Sequence, residues 1–174
     1  IRLFEARNRL FLVIAVPYQN LADQWEENFS LFNVKPVICY GGEGRWYDAL
    51  NKVTLNFKAG LVDFCAVIVV DATMTSPKQT FQKLISNIDG NLSNYFMFVG
   101  DECHHHGAYF TYKSLPAQAH LRMGLSATPD RGAEDLGNQL IEDYYGPVID
   151  RYTLADALKD GVLTPYEYRV IPVQ

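Results

Sequence analysis

The chain has 174 residues, of which 48% are hydrophobic and 20% charged, and this composition predicts one soluble globular domain. Its formal net charge of −5 argues against the basic surface of a stand-alone nucleic-acid-binding domain. Any contact with nucleic acid should therefore use backbone amides, hydroxyls and helix N-termini, or a partner domain. No apolar run approaches the roughly 20 residues of a membrane span, so no membrane partner is expected.

The cysteines Cys39, Cys65 and Cys103 are odd in number and lie in or beside apolar runs. This arrangement predicts reduced thiols and a cytoplasmic location rather than a disulfide framework. The first residue is Ile1 and not methionine, so we expect the chain to be a piece of a longer protein. No linker, repeat or low-complexity stretch divides residues 1–174, which predicts a single domain.

Short apolar runs alternate with amphipathic segments along the chain. Five runs predict buried strands, and in chain order they span residues 9–17, 35–42, 64–72, 94–102 and 120–129. Residues 19–31 predict a helix whose apolar face carries Trp25, which fits the core better than a platform for stacked bases. Continuous apolar strands separated by helices predict an α/β fold with a mainly parallel sheet covered on both faces.

The C-terminal part continues this pattern. Thr153 is followed three residues later by Asp156, which predicts a capped helix that stops at Gly161. Residues 166–173 predict one more strand, at an edge of the sheet because of Pro172.

Polar or glycine-rich residues follow the first five predicted strands, at the carboxyl ends where ligands of open parallel sheets bind. These segments are Pro17–Gln19, Gly41–Gly42, Asp71–Thr75, Asp101–His104 and Ser126–Pro129.

Asp101 and Glu102 directly follow the apolar run YFMFV. Such a pair can divide two tasks, since one carboxylate can hold Mg²⁺ through water while the other deprotonates an attacking water. Two solvated carboxylates that cap the next helix would explain the pair equally well.

The cluster DECHHH, residues 101–106, is also rich in metal-ligand side chains. Contiguous histidines cannot all face one ion from regular structure, and no second cysteine or histidine pair completes a zinc site, so zinc is disfavoured. A metal-dependent hydrolase built on this cluster nevertheless remains an alternative. Ser126 and Thr128 in GLSATP suit either a hydrogen-bonded hinge or a capped turn before Pro129.

Four segments together resemble, in order and spacing, the first RecA-like motor domain of superfamily 2 helicases. They are VPYQNLADQW (16–25), DATMTS (71–76), DECH (101–104) and GLSATP (124–129). The resemblance is strongest to the DEAD/DEAH-box, type III restriction-subunit and XPB-like branch, and the segment YGPVIDRYTLADALKDGVLTPYEY (145–168) extends it over essentially the whole chain. It implies a RecA-like three-layer sandwich.

By this resemblance Asp101 would coordinate the Mg²⁺ carried by ATP, and Glu102 would activate the hydrolytic water. His104 would relay the state of the γ-phosphate, and Ser126 and Thr128 would couple hydrolysis to domain movement. Nucleic acid, expected to be DNA, would be contacted through its backbone by Pro17, Gln19, Gly41, Gly42, Thr73 and Thr75.

Some of the residues assigned to nucleic-acid contact could also have simpler structural roles. Thr73, Thr75 and Ser76 also suit capping of a helix that starts near Pro77, and the glycine pair also suits a plain turn. The resemblance assigns no role to His105, His106 or His120.

The phosphate-binding loop of the family is not present, because none of the lysines follows a glycine. The resemblance places that loop before Ile1 and a second motor domain after this one. We therefore expect ATPase activity in the parent protein and an inactive isolated fragment. A non-catalytic RecA-like scaffold is the remaining alternative.

Overall fold

The computed structural model describes residues 2–128 and 135–164. In these ranges five parallel strands form one sheet with the order β2-β3-β1-β4-β5. The strands are β1 (Leu10–Val16), β2 (Val37–Cys39), β3 (Phe64–Val70), β4 (Phe96–Asp101) and β5 (Leu121–Leu125). All five predicted strands are therefore confirmed, as is the parallel sheet. The strand predicted at 166–173 lies outside the described residues.

Helices precede the first strand, separate successive strands and follow β5. They are α1 (Arg2–Arg7), α2 (Gln19–Ser30), α3 (Tyr47–Lys58), α4 (Asp71–Met74), α5 (Thr80–Ile85), α6 (Tyr109–Lys113), α7 (Asp135–Tyr145) and α8 (Leu154–Lys159). None of these described helices is long and apolar enough to cross a bilayer.

Helices cover both faces of the sheet. One core cluster joins Phe11 of β1 to Phe57 of α3, Phe81 of α5 and Tyr144 of α7. A second cluster joins Ile14 of the same strand to the apolar side of α2. Successive side chains of a strand point to opposite faces, so these two clusters are two separate layers of packing. The predicted three-layer α/β sandwich is confirmed and is consistent with a RecA-like fold.

The predicted helix cap is confirmed at α8 and is wrong at α5. Thr153 and Asp156 form the predicted capping box at the start of α8, and Gly161 beyond its end has a φ of 70°. In contrast, α5 begins at Thr80 behind a left-handed Gln79 that makes no side-chain cap. The capping role considered for the hydroxyl residues before Pro77 is therefore wrong.

Two glycines face each other across β4 and β5 and open a slot in the sheet. Gly100 and Gly124 are partners in the register of these strands. A Cβ on Gly100 would collide with the Tyr145 hydroxyl and lie 2.8 Å from the His106 ring, and one on Gly124 would lie 2.8 Å from Cys103 Sγ. The missing side chains therefore let α7 and the segment after β4 pack directly on the strands.

Replacing Gly100 with alanine should lower the free energy of unfolding by about 1–3 kcal/mol, because buried Tyr145 and His106 must move aside. Gly44 is the matched control, since nothing lies within 4 Å of a Cβ built there. Urea unfolding followed by circular dichroism measures both variants. Equal stability of Gly100→Ala and Gly44→Ala would contradict the close packing of Tyr145 and His106 on Gly100.

Candidate active site

The chain turns sharply where β4 ends. Asp101 is the last residue of the strand, and Glu102 after it has a φ of 50°, in the left-handed region. A non-glycine residue held there costs on the order of 1–3 kcal/mol, and such strain is concentrated at functional sites. The turn leads into a 3₁₀ helix at Cys103–Gly107, which we call the histidine turn. Glu102 makes no side-chain cap to it, so the capping alternative for the acidic pair is not supported.

The Asp101 carboxylate is held by two donors. The indole Nε1 of Trp25 donates to its Oδ2 at 2.8 Å, and the backbone N–H of Glu102 donates to its Oδ1 at 3.1 Å. Trp25 packs beside Phe29 in the core as predicted, but its polar contact was not foreseen. Each carboxylate oxygen keeps a further lone pair that can accept from a water of hydrated Mg²⁺, so the residue fits an ion held through water.

His104 joins the ends of β4 and β5. Its Nδ1 lies 2.9 Å from Ser126 Oγ and 3.4 Å from Glu102 Oε2. Ser126 Oγ also accepts from the backbone N–H of Thr128 at 3.1 Å. The structure thus brings together the predicted catalytic and coupling residues in one chain of polar contacts. The partly exposed Glu102 carboxylate can also reach water, as a general base must.

Three of the predicted nucleic-acid residues share one cleft. Gly41, Gly42 and Thr73 line an open cleft of ≈ 310 Å³ beyond the ends of β2 and β3. Gly41 adopts a φ of 74°, which only glycine takes readily, while a Cβ on Gly42 would meet nothing within 4 Å. Lys78 also lines this cleft and forms an exposed ion pair with Glu43 at 3.4 Å.

The other three predicted residues lie elsewhere. Pro17 and Gln19 follow β1, which lies in the sheet between β3 and β4, and neither lines the cleft. Thr75 does not line it either, because its hydroxyl donates to the Asp71 carbonyl at 2.9 Å. The end of β1 is instead near the histidine turn, where Tyr18 meets the His105 ring edge-on at 6.1 Å.

A buried polar network next to this site was missed by sequence reasoning. His106 is fully buried, with Nε2 3.2 Å from Asp71 Oδ1 and Nδ1 2.5 Å from the Tyr145 hydroxyl. These partners lie 35 and 39 residues away in the chain. A periodic pattern does not reveal such contacts, because only the folded topology brings these residues together.

The three histidine rings engage different partners. His104 contacts Ser126, His105 stands against Tyr18, and His106 lies between Asp71 and Tyr145. Desolvation by burial, followed by the charge of His104, lowers the pKa of His105. Residues 2–128 and 135–164 contain no group of three or more histidine, cysteine or acidic side chains arranged to hold a metal ion. The metal-dependent hydrolase alternative therefore lacks a ligand set there.

The class of protein now follows from the fold and the site. A parallel sheet covered on both faces, with an acidic pair joined through histidine to the next strand end, is consistent with a RecA-like domain. The family model described as type III restriction enzyme, res subunit, matches residues 1–131, and the chain belongs to this family. The family comprises superfamily 2 helicase N-terminal domains, so the predicted type III restriction-subunit resemblance is confirmed. No curated protein matches the chain.

The buried thiols provide a direct test of how the histidine turn packs. Burial raises the pKa of Cys103 and of Cys65 to about 11, and it raises the pKa of Cys39 further. At pH 8 only about 0.1% of the Cys103 thiol is then thiolate, the reactive form. We expect no rapid reaction with a disulfide reagent until denaturant is added, when all three thiols react. A fast thiol that disappears in Cys103→Ser would contradict this packing.

Proposed function

We propose that this chain is the first motor domain of an ATP-dependent DNA helicase or translocase, in which Glu102 activates the hydrolytic water. The observation that carries the proposal is the contact of His104 with both Glu102 and Ser126. A residue that senses the γ-phosphate must reach both the base and the segment that moves. A non-catalytic scaffold would give no reason to hold Glu102 in a strained backbone conformation.

The residues divide the chemistry between them. Asp101, oriented by Trp25, would hold the hydrated Mg²⁺ of ATP. When bound, that ion neutralises phosphate charge. Glu102 accepts the proton of the attacking water, and its left-handed backbone sets the direction of the carboxylate. His104 and Ser126 then convert the loss of the γ-phosphate into a shift of the segment after β5, with Thr128 as the second hydroxyl of that segment.

The remaining parts of the motor are proposed to lie outside these residues. No lysine of the chain follows a glycine, so the loop that cradles the phosphates must come from another segment. A second RecA-like domain would complete the ATP site. Because phosphoryl transfer depends on positioning and charge neutralisation, residues 1–174 alone should not hydrolyse ATP at a useful rate.

DNA is the proposed polymer, because the family description refers to a restriction enzyme. The cleft beyond β2 and β3 offers the backbone of Gly41 and Gly42 and the hydroxyl of Thr73, groups that contact phosphates without selecting a sequence. Pro17 and Gln19 would extend the track across the end of β1, and Thr75 would support it through the Asp71 carbonyl. Such contacts suit an acidic domain that moves along DNA.

Replacing Glu102 with glutamine in the full-length protein should lower the rate of DNA-stimulated ATP hydrolysis about 10²–10⁴-fold, because the amide cannot accept the proton of the water. Glu27→Gln, on the exposed side of α2, is the matched control and should retain the wild-type rate. Phosphate release measures both variants. A Glu102→Gln variant as active as Glu27→Gln would refute the assigned base.

Replacing Gly42 with aspartate should weaken binding of single-stranded DNA about fivefold or more, because the new charge repels phosphates in the cleft. Gly42→Asn is the matched control, since it has the same shape without the charge, and the space around Gly42 admits either side chain. Fluorescence anisotropy over a series of salt concentrations measures the affinities. Equal affinities of the two variants at low salt would exclude the cleft as a DNA contact.

A further inference from the structure

His106 is the buried ionisable side chain that the proposed chemistry leaves unused. It is 0% exposed, yet both of its ring nitrogens have partners. Nε2 lies 3.2 Å from Asp71 Oδ1 at the start of α4, and Nδ1 lies 2.5 Å from the Tyr145 hydroxyl at the end of α7. A leucine or phenylalanine could fill such a volume without the cost of burying a polar ring. The hydrogen bonds therefore require a reason beyond packing.

The partners fix the direction of these hydrogen bonds. An ionised carboxylate only accepts, so Asp71 assigns the proton to Nε2. Burial raises the pKa of Tyr145, so this hydroxyl keeps its proton and donates to Nδ1 when the ring carries its proton on Nε2 alone. The order is thus Tyr145 to His106 to Asp71, with each donor facing one acceptor. The ring cannot turn over without losing both hydrogen bonds.

The hydrogen bonds of His106 lie between the proposed DNA cleft and the proposed ATP site. Asp71 is the first residue of α4, the four-residue helix that carries Thr73 into the cleft. His106 belongs to the same five-residue histidine turn as His104, which contacts Glu102 and Ser126. A displacement of α4 therefore moves the acceptor of the His106 hydrogen bond. The ring must follow that acceptor or lose it, and either result reaches the histidine turn.

The other side of the ring is fixed. Tyr145 and His106 stack with an interplanar angle of 19° over the slot that Gly100 and Gly124 leave open. The Phe98 ring lies beneath both, 6.1 Å from His106 and 6.5 Å from Tyr145. The ring is thus held against rigid strands on one side and attached to a short helix on the other. A movement of α4 would therefore act on the ring.

We propose that His106 is a positioning residue that transmits the occupancy of the DNA cleft to Glu102 and His104 through its hydrogen bond to Asp71. This inference rests on the proposed ATP-driven function. It gives a role to a histidine that the family resemblance left unassigned. It also predicts that the hydrogen bond to Asp71 matters for stimulation by DNA more than for hydrolysis itself.

The test compares two amides at position 106 in the full-length protein. The amide nitrogen of glutamine can occupy the place of Nε2 and keep the bond to Asp71, whereas that of asparagine occupies the place of Nδ1 and cannot. His106→Asn should reduce the ratio of DNA-stimulated to DNA-free ATPase rates about tenfold, within the usual range of coupling between sites. Its DNA-free rate should stay within about twofold of the wild-type rate. His106→Gln should retain most of the stimulation.

Asp71→Ala is a second test variant in case His106→Asn does not fold. The Asp71 side chain is 16% exposed, so its removal should disturb the core less than a change at His106. It should cause the same loss of stimulation, and the double variant should lose no more than either single variant. Thermal unfolding of each variant, with and without a single-stranded oligonucleotide, provides the check on folding.

Three results would overturn the inference. Equal loss of DNA-free and DNA-stimulated rates in the asparagine and glutamine variants would show that His106 only supports the fold. An unchanged stimulation ratio in His106→Asn, with a wild-type protein that responds to DNA, would refute the coupling role and leave the proposed function intact. A full-length wild-type protein without DNA-stimulated ATPase activity would refute both.

Discussion

The arrangement of the site depends on the close approach of side chains to the backbone at Gly100 and Gly124. These residues pair across β4 and β5, and the missing side chains admit the Tyr145 and His106 rings and the Cys103 thiol against the sheet. Without this contact the segment after β4 would have to stand away from β5. His104 in that segment would then lose its contact with Ser126, although the strand register would still pair Asp101 with Leu125.

The polar contacts at the carboxyl ends of β4 and β5 depend on this packing. The histidine turn packs against the strands, and Nδ1 of His104 in this turn lies 2.9 Å from Ser126 Oγ. Glu102 before this turn is left-handed, and the indole of Trp25, from the opposite layer, donates to Asp101 at 2.8 Å.

Much of the framework is readable from the sequence, because strands buried on both faces leave short, continuous apolar runs bounded by polar or glycine-rich residues. The five strands follow from such runs. The packing of Trp25 against the core follows from helical spacing, and the capping box at Thr153 follows from Asp156 three residues later. The short helix that begins at Asp71 and the roles of His106 and Tyr145 do not. Their contacts span 35 to 39 residues and depend on which strand ends become neighbours, so local periodicity carries no trace of them.

The central claim is that the carboxyl edge of this sheet activates water against the γ-phosphate of ATP. The most direct test is a structure of the full-length protein with Mg²⁺, a non-hydrolysable ATP analogue and single-stranded DNA. The account predicts the γ-phosphate beside Asp101 and Glu102, with the Glu102 carboxylate one water away and DNA phosphates at Gly42. Nucleotide phosphates bound elsewhere, with Glu102 turned away from them, would contradict it.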